Sequence, residues 1–228
     1  FAGWSASTAY LRGQILYRIA EMLEGRNEQF VSELVLQGVS KRKAVKEVEA
    51  SIDRLIYYAG WSDKYQQIFS SVNPVSSSHF NFSVLEPTGV VGILAPENSS
   101  LLGLVSNIAP VIVGGNTCVV LASESLPLCA ISFAEVLHAS DVPGGVVNLL
   151  TGFKDELRDQ FASHMDVNAV VFCDGDAEIS KIIQEKAADN VKHVISRRDQ
   201  DWSSEMSQNP YLISETQETK TTWHPIGS

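Results

Sequence analysis

A thiol flanked by carboxylates, in the run Cys173-Asp174-Gly175-Asp176, is the first place to look for chemistry, because a thiolate is a strong nucleophile. The carboxylates argue against that role, since they raise a thiol pKa and keep the proton on sulfur. Cys173 therefore reads as a buried structural residue, as do Cys118 in an apolar strand and Cys129 on an apolar helix face. Three cysteines without paired spacing also point to free thiols in a reducing compartment. His79, His138, His164, His193 and His224 are scattered, with no pair at ligand spacing, so no metal site is expected. Asn98 offers a side-chain amide, but with Ser99-Ser100 beside it the simplest role is to cap the following helix. Neither a G-x-G-x-x-G run nor a P-loop is present to cradle phosphate.

The elements that must position these groups fall into two regimes. In the first third, Leu11, Ile15, Ile19 and Met22 recur at helical spacing, as do Val45, Val48, Ile52, Leu55 and Ala59. A Ser-, Asn- and Pro-containing loop over 70–79 then leads to a short strand near 80–85. From Thr88 onward, β-branched runs predict strands near 89–94, 117–121, 146–150, 169–173 and 191–195. Helical patterns near 101–113, 128–139, 155–164 and 177–188 fill the gaps. This alternation predicts an α/β fold, N-terminal helices followed by an open, doubly wound parallel sheet of Rossmann-like type. Ligands of such sheets bind beyond the carboxyl ends of the strands, where Asn98 and Asp174 lie. Residues 196–228 turn polar and are expected to form an irregular tail.

Bulk properties narrow the partners. With 44% hydrophobic residues the chain can bury a real core, and a formal charge of −10 repels nucleic acid and anionic membrane surfaces. The longest basic run is Lys41-Arg42-Lys43, which could be an anion patch but reads more simply as a solvated helix start. The uncharged stretch from Asn98 to Ser123 is interrupted by Asn107, Pro110, Gly114-Gly115 and Asn116, so it reads as a buried helix, a turn and a buried strand rather than a membrane span. The start, Phe1-Ala2-Gly3-Trp4, has no signal-peptide pattern. A cytoplasmic chain, recorded as a fragment of a longer one, is the expectation.

The run Glu86-Pro87-Thr88-Gly89-Val90-Val91-Gly92-Ile93-Leu94-Ala95-Pro96-Glu97-Asn98 resembles the aldehyde dehydrogenase superfamily, in which a Glu-Pro-x-Gly-Val-Val strand leads into Pro-Trp-Asn. The likeness continues through Gly114-Gly115-Asn116-Thr117, Glu124, Pro127-Leu128, Pro143-Gly144-Gly145-Val146-Val147-Asn148 and Thr151-Gly152-Phe153. It reaches back to Tyr57-Tyr58-Ala59-Gly60-Trp61 and covers roughly residues 1–195, which would form a truncated aldehyde dehydrogenase nucleotide-binding domain. The resemblance implies that Asn98 matches the amide that steadies an oxyanion. It also implies NAD(P) contacts at Ala95, Pro96, Glu97, Leu121, Glu124, Gly152 and Gly175.

The departures from that pattern carry as much weight as the matches. Leu121 stands where the family has a ribose-binding Lys and can donate nothing. Glu97 replaces a Trp, and Asp174 and Asp176 fall in the family's Phe-Thr-Gly-Ser run, at a helix start that would face the pyrophosphate. One like-charge contact at about 4 Å costs on the order of 4 kcal/mol at an effective dielectric near 20, before salt and exposure reduce it. The sequence also stops before the segments that would hold the catalytic Cys, the general-base Glu and the oligomerisation strand. The expectation is a non-catalytic pseudoenzyme resembling the deficient second module of family 16 members. NAD(P) binding would be weak or absent, and the partner would be another protein or a second aldehyde dehydrogenase-like module, with self-association at the unfinished sheet edge. The alternative is the N-terminal portion of an NAD(P)-dependent aldehyde oxidoreductase.

Overall fold

The computed structural model describes residues 1–175 and 177–227. A helical region opens the chain, with α1 (Ala2–Ser5), α2 (Ala9–Gly25), α3 (Asn27–Leu36), α4 (Lys41–Trp61) and α5 (Tyr65–Phe69). Thr8 sets the start of α2 by accepting from Leu11 N at 3.1 Å. The i, i+3, i+7 spacing of Leu16, Ile19 and Leu23 then puts three fully buried side chains on one face of that helix.

The strands and helices that follow are β1 (Ser71–Asn73), β2 (His79–Pro87), β3 (Val90–Leu94), α6 (Leu102–Val113), β4 (Thr117–Leu121), α7 (Leu128–Ala139), β5 (Val147–Leu150), α8 (Lys154–Ser163), β6 (Ala169–Phe172), α9 (Ala177–Ala188) and β7 (His193–Ser196). Five of these strands form one parallel sheet in the order β5-β4-β3-β6-β7. The order reverses between β3 and β6, and that switch point opens a crevice at the carboxyl ends of the strands. Helices α6 and α7 cover one face and are themselves covered by α2, α3 and α4, while α8 and α9 pack together on the other face. Every residue of α6 is buried, which explains why its sequence shows no polar stripe. No helix among the described residues is long and apolar enough to cross a membrane.

The polar stretch after Ser196, expected as an irregular tail, is ordered. A 3₁₀ turn at Glu205–Ser207 and α10 (Tyr211–Ser214) lead into β8 (Gln217–Pro225), which pairs antiparallel with the whole of β2 in a three-stranded sheet ordered β1-β2-β8. Only one edge of β8 is paired and seven of its nine residues are exposed, so it carries no apolar alternation. Its anchor is Asn116, which donates to Thr216 O at 2.8 Å and accepts from Gly89 N at 2.8 Å. Gly115 before it takes φ +92°, a left-handed conformation that favours glycine.

Two buried arginines hold the segment between β7 and β8. Arg54, on α4, donates to Ser106 Oγ at 2.6 Å, Ser207 O at 2.7 Å, Trp202 O at 3.0 Å and Gln208 Oε1 at 3.1 Å. Burial pulls its pKa down from the usual arginine value, and the four acceptors satisfy the charge that burial would otherwise strand. Arg197 reaches Asn107 Oδ1 at 2.9 Å and pairs with Glu215 at 2.7 Å.

Candidate functional site

The carboxyl ends of β3, β4, β5 and β6 converge, and the turns that leave them carry most of the residues singled out from the sequence. Ala95 and Pro96 are buried just beyond β3. Pro96 packs so closely under α6 that a Cβ on Gly103 would sit 2.3 Å from its Cγ, so glycine is required there. Leu121, at the end of β4, is fully buried in an apolar cluster with Leu94, Phe161 and Phe172. Gly152 approaches the same cluster, and Gly175, at φ +106°, turns the chain from β6 toward α9.

Glu97 is the centre of the arrangement. Its carboxylate accepts from Ser123 Oγ at 2.9 Å, Glu124 N at 2.9 Å, Ser125 N at 2.9 Å and Ser125 Oγ at 2.6 Å. It also pairs with Lys154 Nζ at 2.5 Å. Partial burial raises its pKa, but the Lys154 ammonium, the Ser125 hydroxyl and the two backbone N–H groups outweigh that effect and hold it at about 2. Glu97 thus ties the β3 turn to the β4 turn by satisfying the amides that leave β4.

Lys154, the first residue of α8, closes the other side. Its ammonium donates to Ala95 O at 2.5 Å and to Asp174 Oδ2 at 2.6 Å, while Asp174 also accepts from Glu97 N at 3.0 Å. One cation therefore sits between two carboxylates, and the three residues link the ends of β3, β5 and β6. Asp174 spends these bonds on Lys154 and Glu97 N, rather than only on the helix start where the sequence placed it. Asp176, its expected companion, lies outside the described residues. Glu124, matched in the sequence to a ribose-binding carboxylate, instead accepts from Lys154 N at 3.1 Å and so caps α8.

Asn98 differs from expectation as well. It does not cap α6; Ser99 Oγ accepts from Gly103 N at 2.8 Å, and Glu47, reaching across from α4, accepts from Leu101 N at 3.0 Å and Leu102 N at 3.2 Å. The side-chain oxygen of Asn98 accepts from Trp202 Nε1 at 3.1 Å. Glu47, Lys154 and Trp202 had no signal in the sequence, because each acts across the fold on a residue at least 20 positions away.

All three cysteines are buried and unpaired. Burial is the main reason that the Cys173 thiol is pushed up to about 12; Arg197 opposes the shift and Asp174 adds to it. The neighbouring carboxylate is thus a lesser cause than the sequence suggested. Burial pushes Cys129 up to about 12 and raises Cys118 further still. Among the described residues, no group of three or more His, Cys, Asp or Glu could hold a metal ion.

Comparison with known proteins gives this geometry a family. The aldehyde dehydrogenase family model matches residues 1–197. The cytosolic aldehyde dehydrogenase 1 of Elephantulus edwardii is 34% identical over 195 residues, covering 84% of this chain and 38% of that protein. The omega-crystallin of Enteroctopus dofleini is 34% identical over 188 residues, covering 81% of this chain and 36% of the relative. An aldehyde dehydrogenase from Bacillus cereus, solved as its NAD+ complex, superimposes with a TM-score of 0.80 at 28% identity, over 86% of this chain and 39% of that one. The chain thus spans well under half the length of the relatives it matches. By the match over residues 1–197, it belongs to the aldehyde dehydrogenase family.

Proposed function

We propose that this chain is a non-catalytic aldehyde dehydrogenase-like protein that binds or positions a partner, with its nucleotide crevice occupied by its own charges. The observation that carries the reading is the Glu97–Lys154–Asp174 cluster across the strand ends. A dinucleotide pyrophosphate entering there would meet two carboxylates, and Lys154 between them is already engaged by both. Leu121 offers no donor to a ribose, and Glu124 is committed to capping α8. The buried thiols Cys118, Cys129 and Cys173 hold their protons and do not supply a nucleophile. NAD(P) binding is accordingly weak or absent, and the chain corresponds in kind to the deficient second module of family 16 members, acting in the cytoplasm. Its partner is another protein or an active aldehyde dehydrogenase module. Self-association would use the β1-β2-β8 sheet, on which Val72, Phe80 and Trp223 are exposed.

A titration with NADH, following energy transfer from the four tryptophans, tests the reading. The expected result is no saturable transfer up to millimolar cofactor; saturation at micromolar concentration overturns it. A second reading is favoured by the 38% coverage of the relatives: the chain would be the N-terminal portion of an NAD(P)-dependent aldehyde oxidoreductase. A parent transcript that continues into a segment bearing a catalytic cysteine would establish that alternative.

A further inference from the structure

The face of the parallel sheet that carries α8 and α9 is covered over only part of its width. Helix α8 packs on β3, so closely that a Cβ on Gly92 would lie 2.9 Å from the Phe161 ring, and α9 packs on β7. Neighbouring strands lie about 4.8 Å apart and packed helices roughly 8–10 Å apart, so each helix spans about two strands. Two helices therefore leave the β5 side of this face open, where Val119 is half-buried and Asn148 and Leu150 are exposed. Parallel sheets are ordinarily covered by helices on both faces. We propose that this opening is the docking surface for an amphipathic helix of a partner protein, one that carries Lys or Arg beside its apolar stripe.

The opening is a groove with an apolar floor. Val90, Val119, Phe161 and Val167 line a hollow of about 260 Å³, and Gln160 and His164 of the α8 segment border it. The strand register sets Asn148 beside Val119 and Leu150 beside Leu121, which carries the floor on to β5. Asn148 spends its amide on Cys118 O at 3.1 Å and Gly145 O at 3.0 Å, so its donors need no water there. Phe153, Glu156, Gln160 and His164 recur every three or four residues and so follow the edge of α8 that borders the groove.

Charge sets the chemistry of the partner. Glu156 stands on that edge and Asp166 lines the groove near its far end, both exposed. Neither carboxylate makes a hydrogen bond or ion pair among the described residues. The neighbouring cations are engaged: Arg158 pairs with Asp155 at 3.1 Å, Lys186 pairs with Asp159, and Lys192 Nζ donates to His164 O at 2.5 Å. An apolar groove edged by open carboxylates accepts an apolar stripe flanked by cations and repels an acidic one. The rise from Glu156 to His164 is about 12 Å, so the matching cations stand roughly two turns apart on the partner helix. This inference rests on the partner-binding reading but not on the state of the nucleotide crevice, since Glu97, Lys154 and Asp174 do not line the groove.

The probe is a synthetic helical peptide of about 18 residues, with Leu at i, i+3, i+4 and i+7 spacing and Lys beside that stripe; a counterpart carries Glu at the Lys positions. Binding is read from the anisotropy of the labelled peptide and from amide NMR signals of the protein. The expected result is saturable binding of the Lys peptide that shifts signals at 119, 150 and 160–166, with the Glu peptide about tenfold weaker or more. The E156K/D166K variant, altered at two exposed positions, is expected to reverse that preference, and Leu150→Gln to weaken the Lys peptide with no change of charge. Absence of saturable binding overturns the proposal, as do equal binding of the two peptides, undiminished binding of the Lys peptide by E156K/D166K, and shifts confined to the β1-β2-β8 sheet. A wild-type dimer in sedimentation that Leu150→Gln disperses would also refute it, because a second copy would then cover the face. None of these outcomes depends on the NADH titration, so failure here and failure of the crevice reading are told apart.

Discussion

The strand-end crevice and the cavity beyond Asn98 share that residue as a boundary but treat charge in opposite ways. In the crevice, Lys154 lies within 2.6 Å of both Glu97 and Asp174, and Glu97 gathers four further donors from the β4 turn. In the cavity, between α4, the start of α6 and the turn at 200–203, Glu47 and Asp201 each answer backbone and serine donors with one oxygen, while Lys43 and Lys46 make no hydrogen bond or ion pair among the described residues. The difference teaches that the charges lining a site say little about what it can bind. What counts is the set of donors and acceptors remaining after the protein has satisfied its own groups.

Substitutions can break or sharpen this contrast. The largest effect is expected from Arg54→Met, which leaves the Ser207 and Trp202 carbonyls without their donor and frees the turn that walls the cavity. A loss of about 3 kcal/mol in urea unfolding is expected, together with increased exposure of Trp202. Lys154→Ala comes next, since it leaves Glu97 and Asp174 facing each other. Its cost is expected at about 1–2 kcal/mol after allowing for their partial exposure, by the same measurement.

The pH dependence follows from Glu97, whose folded pKa of about 2 lies below the ordinary glutamate value of 4.5. A carboxylate with a depressed folded pKa stabilises the fold fully above its unfolded pKa, and that contribution is lost as pH falls from about 4.5 toward 2. Unfolding midpoints measured across that window are expected to fall more steeply for the wild type than for Glu97→Gln. The smallest effect is expected from Trp202→Phe, which removes the hydrogen bond to Asn98 and costs about 1 kcal/mol, read from thermal unfolding.

Much of the fold was legible because apolar runs bounded by turn residues identify buried strands. β4 over Thr117–Leu121, α7 over Leu128–Ala139 and α9 over Ala177–Ala188 fall at their expected limits. The ordered end of the chain was not legible. β8 is rich in Thr, Glu and Lys, and it is a strand because β2 and Asn116 hold it, which is information from elsewhere in the chain. At the strand ends, the positions of Glu97, Glu124 and Asp174 could be read from the motifs, but their partners could not. The reach of Lys154 back to Ala95 and of Glu47 to Leu101 spans 59 and 54 residues, and no local pattern encodes such contacts. Periodicity reports which residues are buried; it does not report which polar groups answer one another.

The central claim, that the protein's own carboxylates keep a dinucleotide from the crevice, is tested most directly by titrating NADH into the E97Q/D174N variant beside the wild type. Neutralising both groups releases Lys154 and removes the like charge, so saturable binding is expected in the variant and none in the wild type. A variant that binds no better than the wild type would contradict the account.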